Sequence, residues 1–141
     1  MFYKPILLPL LVQVLITLAV WIYMYITRLR EIRHKGIEPQ QLALRSDAQK
    51  LLSASAAPAD NFKNLFEMPL LFFLAVLLSL ILLIQDDLLV AFAWGFVVLR
   101  AIHSLIHCTY NQVLHRFTVY IASSLMLFLM WFRLGLYILT Q

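Results

Sequence analysis

Four long apolar stretches constrain the fold of this chain more than any other feature of its sequence. An α-helix needs about 20 mostly apolar residues to cross the hydrocarbon core of a bilayer. By that measure the sequence predicts spanning helices over residues about 5–27, 61–84, 88–110 and 116–139. Every backbone polar group inside lipid must be bonded within the protein, so these stretches must be helical. We therefore predict an all-α fold, an integral membrane four-helix bundle, formed by a single membrane domain over residues 1–141.

Composition supports a membrane location and argues against a soluble fold. Hydrophobic residues make up 63% of the 141 residues and charged residues only 13%, whereas soluble domains are nearer half apolar and a quarter charged. The net charge of +4 does not indicate nucleic-acid binding, because the basic residues form no stripe interleaved with aromatic residues on a soluble domain. Most of them lie in one loop beside apolar segments, which is typical of a protein oriented in a bilayer.

That loop, residues 28–60, sets the predicted orientation. It contains six of the eleven Lys and Arg residues, whereas the polar turn at residues 85–87 contains none. The positive-inside rule then puts residues 28–60 in the cytoplasm and both termini on the opposite side. Within the loop we expect a short amphipathic helix over about 39–52, and we expect Asp60 to cap the second spanning helix. The compact chain, with no retention signal in its sequence, suggests a bacterial inner membrane.

Polar residues near the start of the second spanning helix are the first candidates for a site. An ionisable side chain within a span costs about 2.5–3.5 kcal/mol on insertion scales, so it needs a partner or a hydrated cavity. Asn64 and Glu67 are three residues apart and share a helix face, and Lys63 precedes them. Pro69 cannot donate a backbone hydrogen bond, so it is expected to kink the helix and free a carbonyl near Leu65.

The third spanning helix carries a second polar face. Arg100 is followed by His103 at i+3, His107 at i+7 and Tyr110 at i+10, so the four side chains lie along one side of the helix. Such a face must look inward or across a subunit interface. We expect Arg100 to pair with Glu67. The pair would either only lock the two helices together or also line an anion-binding cavity, and the sequence leaves both interpretations open.

The remaining candidates are weaker. Arg116 begins the fourth spanning helix, where it would act either as an interfacial anchor or as a cation that reaches into the cavity. Arg133 lies near the opposite membrane face and is expected to snorkel outward. Cys108 is the only cysteine, so it can form no intrachain disulfide. His103 and His107 have the i, i+4 spacing of metal ligands, but the chain supplies no convincing set of four.

Three motifs, taken together, resemble one known family. They are Asn64-Leu65-Phe66-Glu67-Met68-Pro69 in the second spanning helix, Arg100-Ala101-Ile102-His103 in the third, and Arg116 at the start of the fourth. In this order the motifs are similar to those of the MAPEG proteins, the membrane-associated proteins of eicosanoid and glutathione metabolism. The resemblance covers essentially the whole chain, since the four helices and the large first loop also match.

The resemblance implies a left-handed bundle that assembles as a homotrimer, with active sites between subunits near the cytoplasmic face. It implies glutathione as the cofactor and a lipophilic electrophile or peroxide as the substrate. Arg116 would be the catalytic residue, because a cation beside the thiol stabilises the thiolate. The residues implied in glutathione binding are Lys63, Asn64, Glu67, Arg100, His103, His107 and Tyr110.

This chain departs from the family pattern at three positions. Asp60 and Lys63 stand where glutathione-binding members tend to have arginines, and His107 stands in place of a tyrosine. A lysine keeps the charge of an arginine but not its planar fork of donors. Two functions therefore remain open: a glutathione-dependent transferase or peroxidase, and a non-catalytic membrane protein that binds lipid or a protein partner through the same bundle.

Overall fold

The computed structural model describes residues 4–140, and it is helical almost throughout. Two single 3-10 turns, Lys4–Ile6 and Pro39–Leu42, accompany six α-helical segments. These segments are α1 (Leu7–Lys35), α2 (Arg45–Leu51), α3 (Ala56–Asn64), α4 (Met68–Ile81), α5 (Asp87–Cys108) and α6 (Val113–Thr140). No strand occurs within residues 4–140. The all-α fold predicted from the sequence is confirmed.

Four of these helical units are long and apolar enough to cross a membrane: α1, the joined pair α3–α4, α5 and α6. Their side chains explain why they form a bundle. A core of small and large apolar residues runs between the helices, and Phe72 of α4 stacks on Phe96 of α5 with ring centroids 4.9 Å apart. Many leucines, isoleucines and phenylalanines remain on the outer surface, where contact with lipid carries no hydrophobic penalty.

Helices α5 and α6 form the closest pair in the bundle. A Cβ atom added to Gly95 of α5 would lie 3.0 Å from the sulfur of Met126 on α6, so a larger residue there would have to displace the Met126 side chain. Trp131 of α6 donates its indole N–H to the carbonyl of Leu71 on α4, at 3.2 Å. These contacts fix α6 against both of its neighbours and set the position of its first turns.

The first helix is longer than the sequence predicts. Its apolar part ends near residue 27, but the helix continues to Lys35 before Gly36 adopts a left-handed conformation (φ 62°) and ends it. The first loop therefore runs over residues 36–55 instead of 28–60. The predicted amphipathic helix is divided, because the 3-10 turn Pro39–Leu42 and α2 are separated at residues 43 and 44.

The second spanning helix also begins earlier than expected. Helix α3 starts at Ala56, so Asp60 lies in its middle and the predicted capping role of Asp60 is wrong. The expected kink is present, and it is a full interruption over residues 65–67. Pro69 lies in the first turn of α4, where its missing N–H needs no partner. The break allows the α3 side chains to face a different direction from those of α4.

Candidate functional site

Arg100 lies at the centre of the polar face of α5. Its side chain is fully buried, and its guanidinium carbon is 5.4 Å from the ring centroid of Phe96 and 4.9 Å from that of Tyr120. Within residues 4–140 none of its three guanidinium nitrogens has a hydrogen-bond partner. The two rings stabilise the cation through their π faces, but its N–H donors remain unused.

His103 lies one turn further along α5, beside the same aromatic ring. Its Nδ1 is 3.2 Å from the backbone carbonyl of Arg116, and a carbonyl can only accept, so Nδ1 carries the hydrogen of this bond. In a neutral ring Nε2 is then an acceptor. That atom is buried and has no partner within the described residues. The bond also ties the polar face of α5 to the first turn of α6.

His107 completes the buried part of the face. It is 3% exposed, and its ring packs edge-on against His103 with centroids 5.6 Å apart. Its Nδ1 likewise has no hydrogen-bond partner in the described part of the chain. No group of three or more His, Cys, Asp or Glu side chains that could hold a metal occurs within residues 4–140.

A cavity of about 190 Å³ opens beside this face. Asn64 from the end of α3, His103 from α5, and Arg116 and Tyr120 from α6 line it. The side chain of Arg116 is oriented by a 2.7 Å hydrogen bond from its Nη1 to Oδ1 of Asn111. Neither Arg100 nor Arg116 lies within 4 Å of a carboxylate oxygen in residues 4–140. The site is therefore rich in cations and in unused polar atoms.

The predicted ion pair between Arg100 and Glu67 is absent from the described residues. Glu67 is exposed and has no ion pair with Arg100, whereas Lys35–Glu31, Lys63–Asp60 and Arg133–Asp86 are paired in the described part of the chain. The physical reason is the interruption before Pro69, which places Glu67 in a turn with non-helical backbone angles (φ −90°, ψ −89°). A residue in such a turn does not continue the helical face on which Asn64 lies.

Two other predicted site residues also lie elsewhere. Tyr110 is 61% exposed, and its hydroxyl is 3.3 Å from Nδ1 of His115, so the polar stripe of α5 stops at His107. Lys63 pairs with Asp60 at 3.1 Å and lines a different cavity, between α1, α2 and α3. The residues of the sequence prediction that do line the 190 Å³ cavity are Asn64, His103 and Arg116.

Two contributors were missed by sequence reasoning. Tyr120 lies four residues after Arg116, on the same face of α6, and this spacing could have revealed it. Asn61 is fully buried in α3; its amide donates to the sulfur of Cys108 at 3.4 Å and its oxygen accepts from the hydroxyl of Ser104 at 3.4 Å. Asn61 therefore positions α3, and with it Asn64, against α5.

Arg133, which the sequence predicts to reach outward at the opposite membrane face, has a partly exposed side chain that also forms an ion pair. Its Nε donates to Oδ2 of Asp86 at 2.7 Å, in the turn between α4 and α5. This pair lies at the other end of the bundle from the loop over residues 36–55. It has no part in the cavity beside Arg100.

Comparison with known proteins places the chain among its relatives. A family model described as MAPEG family matches residues 6–136, which is nearly the whole chain. No curated protein and no solved structure matches this sequence.

Proposed function

This chain belongs to the MAPEG family, and on that premise we propose that it binds glutathione at the cavity beside Arg100 and uses the thiol against lipophilic electrophiles or peroxides. The observation that carries the proposal is the buried, unpaired cation. Arg100 is fully buried with every guanidinium nitrogen unbonded within the described residues. A buried charge of this kind lowers the stability of the fold unless an anion binds to it.

The neighbouring groups suit an anionic thiol with several polar groups. Arg100 attracts a carboxylate, the free Nε2 of His103 accepts a hydrogen bond, and the side chain of Asn64 offers both a donor and an acceptor. His107, whose ring packs against that of His103, adds a second imidazole nitrogen without a partner in the described residues, its Nδ1. Arg116 is the cation that stabilises the thiolate, since a nearby positive charge favours the ionised form of a thiol.

Once the thiolate is bound and oriented in the cavity, two reactions are open to it. In conjugation the thiolate sulfur forms a bond to an electrophilic carbon, and the leaving group departs or an opened epoxide oxygen takes up a proton. In peroxide reduction two glutathione molecules are oxidised to their disulfide, while the peroxide is reduced to an alcohol and water. A lipophilic substrate reaches the site from the surrounding bilayer.

The cavity in one protomer is too small to hold the whole cofactor. Its volume of about 190 Å³ is below the roughly 300–1,000 Å³ of typical small-molecule sites. A neighbouring subunit would supply the missing wall, which agrees with a homotrimer whose sites lie between protomers. In the proposed arrangement the bundle lies in a bacterial inner membrane. Residues 28–60 are cytoplasmic, and both termini are on the opposite side.

Calorimetry on the purified protein in detergent tests the proposal. Glutathione is titrated into the wild type, Arg100→Met, Arg116→Gln and, as a control, Arg30→Gln, which removes an exposed charge outside the cavity. Lost hydrogen bonds to charged groups contribute about 1.5–3 kcal/mol each, so we expect binding at least tenfold weaker in the first two variants. The control should bind like the wild type.

The opposite result has a defined meaning. Absence of heat at millimolar glutathione in a folded wild-type protein would contradict the proposal. The alternative, a non-catalytic membrane protein that binds lipid or a protein partner, would then remain.

A further inference from the structure

A second and larger cavity lies where the first two spanning helices leave the apolar region. Its volume is about 620 Å³, and it lies between α1, α2 and α3. Three cationic side chains border it: Arg28, Arg45 and Lys63. Asp60 is the one carboxylate among the lining residues, and it is paired with Lys63 at 3.1 Å. Arg28 and Arg45 have no carboxylate within 4 Å in residues 4–140.

Arg28 is the key side chain of this cavity. Its Nε is buried and has no hydrogen-bond partner within the described residues. It is also the first charged residue after the apolar part of α1, so it lies at the level where hydrocarbon meets headgroups. A buried, unused donor on a cationic group at this level favours an anion that belongs to the membrane surface.

The wall of the cavity is fixed rather than loose. Glu31, one turn after Arg28, accepts the backbone N–H groups of Ala54 and Ser55 at 2.9 and 3.0 Å. Lys35 donates to Glu31 and to the carbonyl of Leu51. The loop that carries Ser55 is therefore anchored to α1 beside the cavity.

The cavity also has an apolar part to its lining. Met24 and Leu52 are buried apolar residues, and Phe62 lines the same cavity. A lining that combines cationic and apolar side chains matches a molecule that carries both a phosphate and hydrocarbon. A volume of 620 Å³ suits a headgroup with its glycerol, and basic pockets between membrane helices bind anionic headgroups elsewhere.

We propose that the cavity between α1, α2 and α3 binds the phosphate of an anionic phospholipid through Arg28 and Arg45, with the first carbons of its acyl chains against the apolar lining residues Met24, Leu52 and Phe62. This site is distinct from the cavity beside Arg100, with which it shares none of its lining residues. Lipid binding here does not require glutathione to bind there.

Native mass spectrometry of the detergent-purified protein tests this site. Phosphatidylglycerol and phosphatidylcholine with identical acyl chains are titrated into the wild type, Arg28→Gln/Arg45→Gln, and the control Arg33→Gln/Lys50→Gln. The control removes two exposed charges from the same region but outside the cavity. Each basic residue near a membrane surface adds about fivefold to the affinity for anionic lipid, so two add about thirtyfold.

We expect the wild type to retain phosphatidylglycerol at least tenfold more tightly than phosphatidylcholine. The cavity variant should lose about thirtyfold in phosphatidylglycerol affinity, and the control less than threefold. The single variant Arg45→Gln, at an exposed position of α2, should lose part of the phosphatidylglycerol affinity. It replaces the double variant in the test if the double variant does not fold.

Four results would overturn the proposal. Equal retention of the two lipids would remove the need for an anionic headgroup, and equal losses in the cavity and control variants would show diffuse surface attraction. Displacement of the lipid by millimolar inorganic phosphate would show that free phosphate is the ligand. Displacement by glutathione would assign the cavity to the glutathione site, and calorimetry on Arg100→Met then shows independently whether that site exists.

Discussion

Arg100 is held in the interior by two aromatic rings and by no hydrogen bond within the described residues. A cation over an aromatic face gains about 0.5–2 kcal/mol, whereas an unpaired buried charge costs several kcal/mol. The net contribution of this buried cation to folding is therefore expected to be unfavourable. An apolar side chain of the same length would then give a more stable bundle, which is what the proposed ligand-binding role of Arg100 predicts.

Arg100→Met should therefore make the protein more stable and less able to bind. Methionine has a similar length and no charge, so we expect the free energy of unfolding to rise by about 1–3 kcal/mol. Thermal unfolding in detergent measures this effect, and calorimetry with glutathione measures the loss of binding. Arg30→Met serves as the control, because Arg30 is exposed. A variant that is clearly less stable than the wild type would show that Arg100 stabilises the bundle.

At the scale of single elements, the N-terminus of α5 depends on Asp86. Its Oδ1 accepts the backbone N–H of Leu88 at 2.8 Å and its Oδ2 accepts from Arg133 of α6 at 2.7 Å. Partial burial raises the pKa of Asp86, but the hydrogen bond from Arg133 and the N–H of Leu88 outweigh it, so the pKa lies below its usual value. This one side chain therefore both starts α5 and joins it to the end of α6.

The sign of the pH dependence follows from that lowered pKa. The unfolded chain takes up a proton at Asp86 at a higher pH than the folded protein does, so the stabilisation is complete above about pH 4 and is lost as the pH falls through the folded value. We expect Asp86→Asn to lower stability by about 0.5–1 kcal/mol at pH 7, since asparagine still caps a helix and Arg133 is partly exposed.

Thermal unfolding at pH 7 and pH 3 measures this effect, with Asp47→Asn as the control. The difference between the wild type and Asp86→Asn should shrink at pH 3. A difference that is as large at pH 3 as at pH 7 would contradict a role for the ionised carboxylate.

The first loop depends on another single carboxylate. Glu31 accepts from Ala54, Ser55 and Lys35, and a glutamine has only one acceptor oxygen to offer them. Glu31→Gln should therefore release the segment around Ser55, with a local loss of about 1–3 kcal/mol. Hydrogen exchange of the Ala54 and Ser55 amides measures this loss, and Glu67→Gln is the charge-matched control at an exposed position outside the loop. Unchanged exchange in Glu31→Gln would show that the loop is held by other contacts.

At the scale of the whole molecule, apolar side chains cover much of the outer surface of the protomer. Lipid satisfies such a surface as well as another protein does, so the exposed area does not by itself select an oligomer. The small volume of the cavity beside Arg100 is more informative, because it leaves a ligand of glutathione size only partly enclosed. A second subunit against this opening would both enclose the ligand and exclude water.

In the proposed homotrimer, glutathione binding is expected to require the assembled protein. Native mass spectrometry under mild and harsh detergent conditions separates trimer from monomer, and calorimetry on each preparation measures binding. We expect at least tenfold weaker binding by the monomer, because one wall of the site is missing. Saturable binding of equal affinity by a folded monomer would show that a single protomer forms the complete site.

The sequence alone determined what depends on distances along one helix. Apolar length predicted four spanning helices, and the helical repeat placed Arg100, His103 and His107 on one buried face. These inferences hold because the geometry of a helix is the same in any context. The sequence could also indicate the interruption near Pro69, because a missing backbone donor acts locally.

Only the tertiary structure decided which groups meet across helices. In the structure Glu67 lies in an exposed turn, and the ring of Tyr120 lies against the guanidinium of Arg100. Lys63 lines the cavity near Arg28. Such pairings depend on the rotation, depth and breaks of each helix relative to its neighbours. Those quantities follow from packing over the whole bundle, including the close approach at Gly95, and no spacing along the chain records them.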